Sequence, residues 1–248
     1  EAIQNSPSLE EKAFFNALNG GYTPPSSGGD AVANPKAVPT GRNLYSINAE
    51  STPSKLAWDR GVALAKNTIE EYQKNHGEYP KKIAYTFWSS EFIETEGVSI
   101  AQVLYLLGVE PVWDTFGRVS DVRIIPSEEL GRPRIDVVIQ TSGQFRDLAA
   151  SRLFLITKAI EKVSLLPEEK YNNQVSSGTV DIEKELVKAG IPPKDAREMS
   201  TQRIFGGLQG AYGTGIKELI NAGDKWETQK DIAEVYMHNM GATYASQE

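Results

Sequence analysis

The stretch Ile135-Asp-Val-Val-Ile-Gln140 is almost wholly apolar, which predicts a strand at the centre of a sheet, covered on both faces. It leads into a long helix predicted over about 144–163. Two further strands are predicted at 82–88 and 119–126, and a helix at 98–108 follows the first of them. This alternation with short connections is typical of α/β proteins. The sequence therefore predicts an α/β fold with a mostly parallel open sheet and flanking helices.

Three regions of the chain differ in their pattern. Residues 1–43 are predicted to be an irregular N-terminal segment, because their second half is dense in Gly, Pro and Ser. That half reads either as a linker or as an ordered loop over a site. Residues 44–166 are predicted to form the α/β domain, with Thr52 and Pro53 opening its first helix. Residues 167–248 contain no predicted strand and are expected to form a helical C-terminal part packed on that domain.

Composition excludes several classes of function. The formal net charge is −7, which argues against non-specific nucleic-acid binding, and the absence of Cys excludes disulfides and thiolate sites. With only two His, a His-rich metal site is not expected, so a bound metal would use oxygen ligands or be held by another molecule. No signal peptide is visible. This predicts a cytoplasmic location, or a periplasmic one if a signal peptide has been removed.

Three acidic residues follow the strand predicted at 82–88. Ligands of open parallel sheets bind beyond the carboxyl ends of the strands, and Glu91, Glu94 and Glu96 stand at that point. Carboxylates there could attract a hard divalent cation or accept protons. The alternative is that they are solvated acids favoured by the start of the next helix.

A second segment, Thr141-Ser-Gly-Gln-Phe-Arg-Asp147, leaves the sheet after the strand at 135–140. Its backbone N–H groups open a helix, where an anion can dock, and Arg146 offers a planar fork for a carboxylate. The alternative is that Arg146 pairs locally with Asp147.

The Gly-rich segment at 205–215 resembles a phosphate-binding loop only in composition. It lacks the Gly-Lys-Ser/Thr ending and does not join a strand to a helix in a predicted βαβ unit, so nucleotide binding is not expected there. Its glycines are expected to permit tight turns, with Tyr212 as an aromatic face. A lone His238 further on is predicted to be a surface or packing residue.

Five segments of the chain resemble the large subunit of cobaltochelatase and magnesium chelatase, in the same order and at similar spacing. The strongest is GRPRIDVVIQTSGQFRD at 131–147. The five are PTGRNLYS (39–46), AQVLYLLGVEPVWD (101–114), ELGRPRIDVVIQTSGQFRD (129–147), RIFGGLQGAYGTG (203–215) and DIAEVY (231–236).

The resemblance implies a C-terminal fragment of a subunit that holds a tetrapyrrole while a divalent metal is inserted. It implies Co²⁺ or Mg²⁺ as the metal substrate, ATP used by separate ATPase subunits, and contact with the rest of the large subunit. Cobalt is favoured, because Gly97-Val98-Ser99 stands where magnesium relatives tend to carry Gly-Glu-Ser. A non-catalytic tetrapyrrole- or metal-binding domain, a scaffold for the ATPase partners, and a dechelatase running the reaction in reverse remain alternatives.

Residue type and position then suggest individual roles. The three glutamates are candidates for metal delivery or proton acceptance, two arginines for holding the ring's acidic substituents, and two tyrosines for stacking on it. The candidate catalytic residues are Glu91, Glu94 and Glu96, and the candidate substrate-binding residues are Arg42, Tyr45, Arg146 and Tyr212. No metal ligand is assigned.

Overall fold

The predicted central strand is present in a four-stranded sheet. The computed structural model describes residues 1–28, 31, 35–45, 47–167, 170–208 and 210–244. The helices are Ala2–Leu18 (α1), Lys55–His76 (α2), Ser89–Thr95 (α3), Val98–Leu107 (α4), Ser127–Leu130 (α5), Gly143–Ser164 (α6), Gln174–Lys188 (α7), Pro193–Met199 (α8), Ile216–Asn221 (α9) and Gln229–Met240 (α10). The strands are Ser26–Ser27 (β1), Asn43–Tyr45 (β2), Lys82–Phe87 (β3), Val109–Trp113 (β4), Val119–Ile124 (β5), Asp136–Thr141 (β6), Ile204–Gly206 (β7) and Ala242–Thr243 (β8). No helix in the described ranges has both the length and the apolar content of a membrane span.

The main sheet has the strand order β3–β6–β7–β8. The first three strands run parallel, and β8 joins β7 antiparallel. Phe87, Val137, Ile139 and Ile204 are fully buried on one face, in a core shared with α4 and α6. The mostly parallel sheet with flanking helices is therefore confirmed, as is the interior position of β6. Its second face is less covered than predicted, since Val138 is only half-buried.

The strand predicted at 119–126 belongs to a different sheet. It forms β5, which pairs antiparallel with β4 in a two-stranded hairpin. The Asp114 carboxylate accepts hydrogen bonds from the backbone N–H groups of Phe116 and Arg118, at 2.8 and 2.9 Å, and Gly117 has φ 78°. These bonds build a tight turn that brings β5 back along β4, so a local turn decided the pairing.

The C-terminal part is not purely helical, contrary to prediction. It contributes β7 and β8, and β7 pairs with β6 through Ile139↔Ile204 and Thr141↔Gly206. These strands are two or three residues long and β7 runs into Gly207, so the period-2 signal that marks a strand is too short to read.

The N-terminal segment also differs from the prediction. Residues 1–43 are not irregular throughout, because α1 occupies Ala2–Leu18. Ten of its residues, from Leu9 to Leu18, are mainly Leu, Glu, Lys, Ala and Phe, and their helix propensity outweighs Pro7 inside the helix. α1 buries none of its residues.

Helix α2 begins two residues later than predicted. Its N-cap is Ser54, whose hydroxyl accepts a hydrogen bond from the Ala57 N–H at 3.1 Å, and Pro53 lies before the cap. The middle of α2 packs closely on α4, because Gly61 leaves no room for a side chain: a Cβ there would lie 2.5 Å from the Ala101 Cβ. This contact holds α2 against α4, and Gln102 of α4 accepts a hydrogen bond from the Tyr85 hydroxyl of β3 at 3.2 Å.

Two buried arginines close the C-terminal end of α4. Arg134 donates from Nη1 to the Gly108 carbonyl and from Nη2 to the Ile125 carbonyl, both at 2.7 Å. Arg132 donates to the carbonyls of Tyr105 and Leu106, and burial lowers the pKa of its guanidinium. Cationic donors satisfy carbonyls that the helix leaves open at its negative end.

Candidate functional site

The exits of β3 and β6 lie side by side, as the sequence predicts. Phe87 and Thr141, the last residues of the two strands, are partners in the register, and the Ser142 N–H donates to the Phe87 carbonyl at 3.1 Å. β7 ends at the same edge, because Gly206 is the partner of Thr141. We call the segments that leave this edge, residues 88–97, 142–147, 207–208 and 210–215, the rim.

The first segment of the rim is mostly helical rather than a loop. Residues 89–95 form α3, which is anchored beneath the rim by Phe92, whose ring centroid lies 5.0 Å from that of Phe145 on α6. An apolar anchor therefore fixes the middle of the acidic segment against α6.

The three glutamates stand on this segment in different settings. Glu91 is half-buried and accepts a hydrogen bond from the Thr95 hydroxyl at 3.0 Å, whereas Glu94 is exposed. Glu96 adopts a left-handed backbone at φ 55° and ψ 32°, and its carbonyl accepts from the Ser54 N–H at 3.2 Å. Among the described residues no three acidic or histidine side chains are grouped to hold a metal ion. Each glutamate therefore remains an individual candidate for contacting a cation or accepting a proton, and the three do not form a ready-made set of metal ligands.

Glu96 lines a cleft of about 400 Å³ between the start of α2, the end of α3 and the tip of the β4–β5 hairpin. Lys55, Trp113 and Phe116 line the same cleft. Trp113 is fixed by a hydrogen bond from its indole N–H to the Pro53 carbonyl at 3.0 Å. The cleft thus combines a carboxylate and an ammonium with aromatic rings, which suits a flat ligand with charged substituents.

Arg146 is buried beneath the Gly-rich part of the rim. Its Nη1 donates to the carbonyls of Gly207 and Leu208, at 2.9 and 2.6 Å, and its Nε donates to the Asp147 carboxylate at 2.9 Å. The predicted local pair with Asp147 is therefore present. Two loop carbonyls accept from Nη1 and one carboxylate accepts from Nε, so the structure makes Arg146 a clamp on the loop. Its buried Nη2 lies 2.9 Å from the Asp147 carboxylate without a hydrogen bond among the described residues.

Asp147 connects this clamp to Tyr212. The tyrosine hydroxyl donates to Asp147 Oδ2 at 2.5 Å, and the Tyr212 ring lies 5.8 Å from the Arg146 guanidinium. The Tyr212 hydroxyl and the Arg146 guanidinium hold the pKa of Asp147 below its ordinary value, and the Asp147 carboxylate raises the pKa of Tyr212. Tyr212 remains 59 % exposed, so its ring is fixed in place yet open to a ligand.

Two clefts flank the clamped loop. One, of about 570 Å³, is lined by Arg146, Leu208 and Tyr244. The other, of about 350 Å³, is lined by Tyr212 and His238. His238 is exposed, as predicted. Sequence reasoning missed Tyr244, whose hydroxyl donates to the Gly207 carbonyl at 2.5 Å, because no local pattern marks its partner 37 residues earlier.

The other two predicted substrate-binding residues lie in the N-terminal region. Arg42 is exposed and lines a separate cleft of about 370 Å³ with Leu9 and Tyr22. Tyr45 ends β2, and its side chain lies outside the described part of the chain. The described contacts therefore gather Glu91, Glu94, Glu96, Arg146 and Tyr212 at one edge of the sheet, and they do not place Arg42 there.

Comparison with known proteins assigns the family. The sequence model of the family described as CobN/Magnesium Chelatase matches residues 1–248. The chain belongs to the CobN/magnesium chelatase family. It is 42 % identical to an uncharacterized protein of Methanocaldococcus jannaschii over 229 residues, covering 92 % of this chain and 18 % of that protein.

Family members named for either metal are similar to this chain. Aerobic cobaltochelatase subunit CobN of a Sinorhizobium species is 35 % identical, with 95 % of this chain and 18 % of CobN covered. Chloroplastic magnesium-chelatase subunit ChlH of Oryza sativa subsp. japonica is 37 % identical, with 89 % of this chain and 15 % of ChlH covered. These identities are nearly equal, so they do not choose between cobalt and magnesium.

A solved structure of a family member shares the fold. The catalytic subunit of cobaltochelatase from Mycobacterium tuberculosis superposes with a TM-score of 0.81 at 35 % identity, covering 99 % of this chain and 20 % of that one. The chain thus spans about a fifth of the length of the chelatase subunits it matches.

Proposed function

We propose that this chain forms one wall of the site at which a metal-chelatase large subunit receives a tetrapyrrole and a divalent cation. Family membership supports the reaction class. The observation that carries the location is the juxtaposition of the β3 and β6 exits at Phe87 and Thr141. It sets the acidic segment beside the start of α6, where Arg146 clamps the loop that follows β7. Cobalt is the favoured metal and a corrinoid or porphyrin the ring.

The rim offers groups suited to the steps of metal insertion. The cation must exchange water for ring nitrogens, and two pyrrole N–H groups must lose their protons. Glu94 is exposed and Glu96 lines a cleft, so both carboxylates can contact the cation or accept a proton, and Glu91 is held by Thr95 close by. Tyr212 presents its ring as a stacking surface, with Arg146 as the residue that positions it.

The proposed partners follow from the family and from the Gly-rich segment. Separate ATPase subunits would use ATP, since the segment at 205–215 lacks the Gly-Lys-Ser/Thr ending of a phosphate-binding loop. The remaining region of a large subunit would supply the other wall of the site. The proposed location is cytoplasmic, or periplasmic after removal of a signal peptide.

A scaffold role is the second candidate. It is favoured by the exposed apolar side chains of α1, among which Phe14 and Leu18 are 62 and 67 % exposed. Such a surface fits contact with ATPase partners or with the rest of the subunit. A dechelatase would use the same rim in the reverse direction, and ring binding alone does not separate the two directions.

Titration of the chain with a porphyrin and with a cobalt-free corrinoid tests the proposal. We expect saturable absorbance changes with at least one ring, and a dissociation constant raised about tenfold by Tyr212→Ala, because loss of one aromatic contact costs about 1.4 kcal/mol. Tyr22→Ala is the matched control, since Tyr22 is also exposed but lines the N-terminal cleft with Arg42.

Two outcomes contradict the proposal. Absence of saturable binding to either ring favours the scaffold role. Weakening by Tyr22→Ala in place of Tyr212→Ala moves the ring to the N-terminal cleft and removes the assignment to the rim.

A further inference from the structure

Strand β3 forms one edge of the main sheet, and no strand in the part of the chain that the structure describes pairs with its outer side. Its neighbour in the order β3–β6–β7–β8 is β6. Ala84 and Thr86 are exposed, whereas Phe87 is fully buried on the opposite face. Parallel sheets are usually covered on both faces, and proteins usually protect the edge strands of a sheet. An exposed and unpaired parallel edge strand is therefore unusual.

The hydrogen bonds show which backbone groups of β3 are unused. The Asp136 N–H donates to the Lys81 carbonyl, and the Ser142 N–H donates to the Phe87 carbonyl. The register between the two strands is unbroken, so odd-numbered residues of β3 direct their N–H and C=O groups to β6 and even-numbered residues direct theirs outward. The backbone N–H and C=O groups of Ala84 and Thr86 therefore have no hydrogen-bond partner among the residues that the structure describes.

This edge lacks the features that keep edge strands from pairing. Proteins protect such strands with charged side chains, prolines, bulges or very short strands. β3 is six residues long, has no proline and no bulge, and carries one charge, Lys82, at its first position. Lys82 is itself held by Asp136 at 3.0 Å. The four residues that follow it in β3 before Phe87 are uncharged.

We propose that the free edge of β3 accepts an extended strand from the region of a full-length chelatase large subunit that lies outside the matched fifth. The unused N–H and C=O groups of Ala84 and Thr86 specify an extended partner, because only a strand offers donors and acceptors at the same spacing. The relatives supply about four further fifths of polypeptide beside this region. The inference rests on family membership and not on ring binding.

Residue-resolved hydrogen exchange tests the proposal with an internal control. In the chain alone, the amides of Ala84 and Thr86 are expected to exchange at nearly the unfolded rate, while those of Ile83 and Tyr85 are protected by β6. In a full-length large subunit that carries this sequence, we expect Ala84 and Thr86 to be slowed at least 100-fold. Fast exchange of both amides in the full-length subunit overturns the proposal.

Two substitutions separate strand addition from general stabilisation. Ala84→Pro removes only an outward N–H, which edge strands tolerate, whereas Ala84→Val keeps it. In the full-length subunit, Ala84→Pro is expected to return the Thr86 amide to within tenfold of the unfolded rate, and Ala84→Val to leave it protected. If Ala84→Pro exposes Ile83 and Tyr85 in the isolated chain, Ala84→Lys replaces it as the blocking variant.

A second copy of the chain is the competing occupant. Protection of Ala84 and Thr86 in the isolated chain that increases with protein concentration shows edge-to-edge self-pairing and contradicts the proposal. Equal protection of Thr86 in the blocking and Ala84→Val variants also contradicts it.

Discussion

Replacing Arg134 with methionine is expected to lower the free energy of unfolding by about 3 kcal/mol. Arg134 is 1 % exposed and donates to the carbonyls of Gly108 and Ile125, which join the end of α4 to the end of β5. Methionine fills much of the space but leaves these carbonyls without the donors that now satisfy them. Position 108 has no room for a side chain while Arg134 is present, since a Cβ there would collide with Arg134 Nη1. Urea unfolding followed by circular dichroism measures the change.

Arg123→Met is the matched control for this prediction. Arg123 is half-exposed and pairs with Glu110 at 2.8 Å on the surface of the hairpin. Exposed ion pairs contribute little, so the free energy of unfolding should change far less than for Arg134→Met. Equal losses for the two variants would show that the Arg134 hydrogen bonds do not stabilise the fold as described.

Replacing Arg146 with methionine is expected to raise the dissociation constant for the ring about tenfold, equal to about 1.4 kcal/mol, the same loss as Tyr212→Ala. The guanidinium holds the carbonyls of Gly207 and Leu208 and, through Asp147, the hydroxyl of Tyr212. Without it the loop loses the geometry that presents the Tyr212 ring. The measurement pairs a ring titration with hydrogen exchange at residues 207–208 and 210–215, which should become faster.

The control for this clamp is Arg197→Met. Arg197 pairs with Glu183 at 3.0 Å between α7 and α8, and its loss should change neither ring affinity nor exchange in the loop. Because the pKa of Asp147 is lowered in the folded chain, its contribution is fully present above the unfolded carboxyl pKa of about 4. It is lost as the pH falls through the depressed value, so the assays at pH 6 to 8 compare fully formed clamps. Faster loop exchange with unchanged ring affinity would show that the loop does not contact the ring.

Local pattern predicted the elements that carry the rim. The apolar run at 135–140 predicts an interior strand, and the helices after the strands predict parallel neighbours whose ends share one edge. The apolar content of the strands and the lengths of the connections between them are visible in the sequence, and they are enough to predict this arrangement. The pattern correctly placed the exits of β3 and β6 together.

Sequence pattern did not predict the roles of side chains whose hydrogen-bond partners lie far away along the chain. Arg146 looked like a free fork because its acceptors lie 61 and 62 residues further along the chain. Arg134 carries part of the strongest family motif, yet its described hydrogen bonds join backbone carbonyls within the fold. A guanidinium has the same appearance in sequence whether it meets carbonyls or a ligand, so only the structure separates the two roles.

Short elements were missed for a different reason. β7 and β8 have three and two residues, too few for a period of two to show. β7 pairs with the second side of β6, and β8 pairs with β7. α1 has helix-forming composition but no buried face that would mark it. A prediction based on the periodic spacing of core-facing residues therefore does not detect this helix.

On the proposed function, a tetrapyrrole binds over the rim, at the common edge of β3, β6 and β7. Titrating the ¹⁵N-labelled chain with a free-base porphyrin checks this claim, because the macrocycle's ring current shifts the signals of nearby amides. The largest shifts are predicted at residues 88–97, 142–147 and 210–215. Shifts centred on the opposite edge of the sheet, at residues 77–82 and 131–136, or on α1, would contradict the claim.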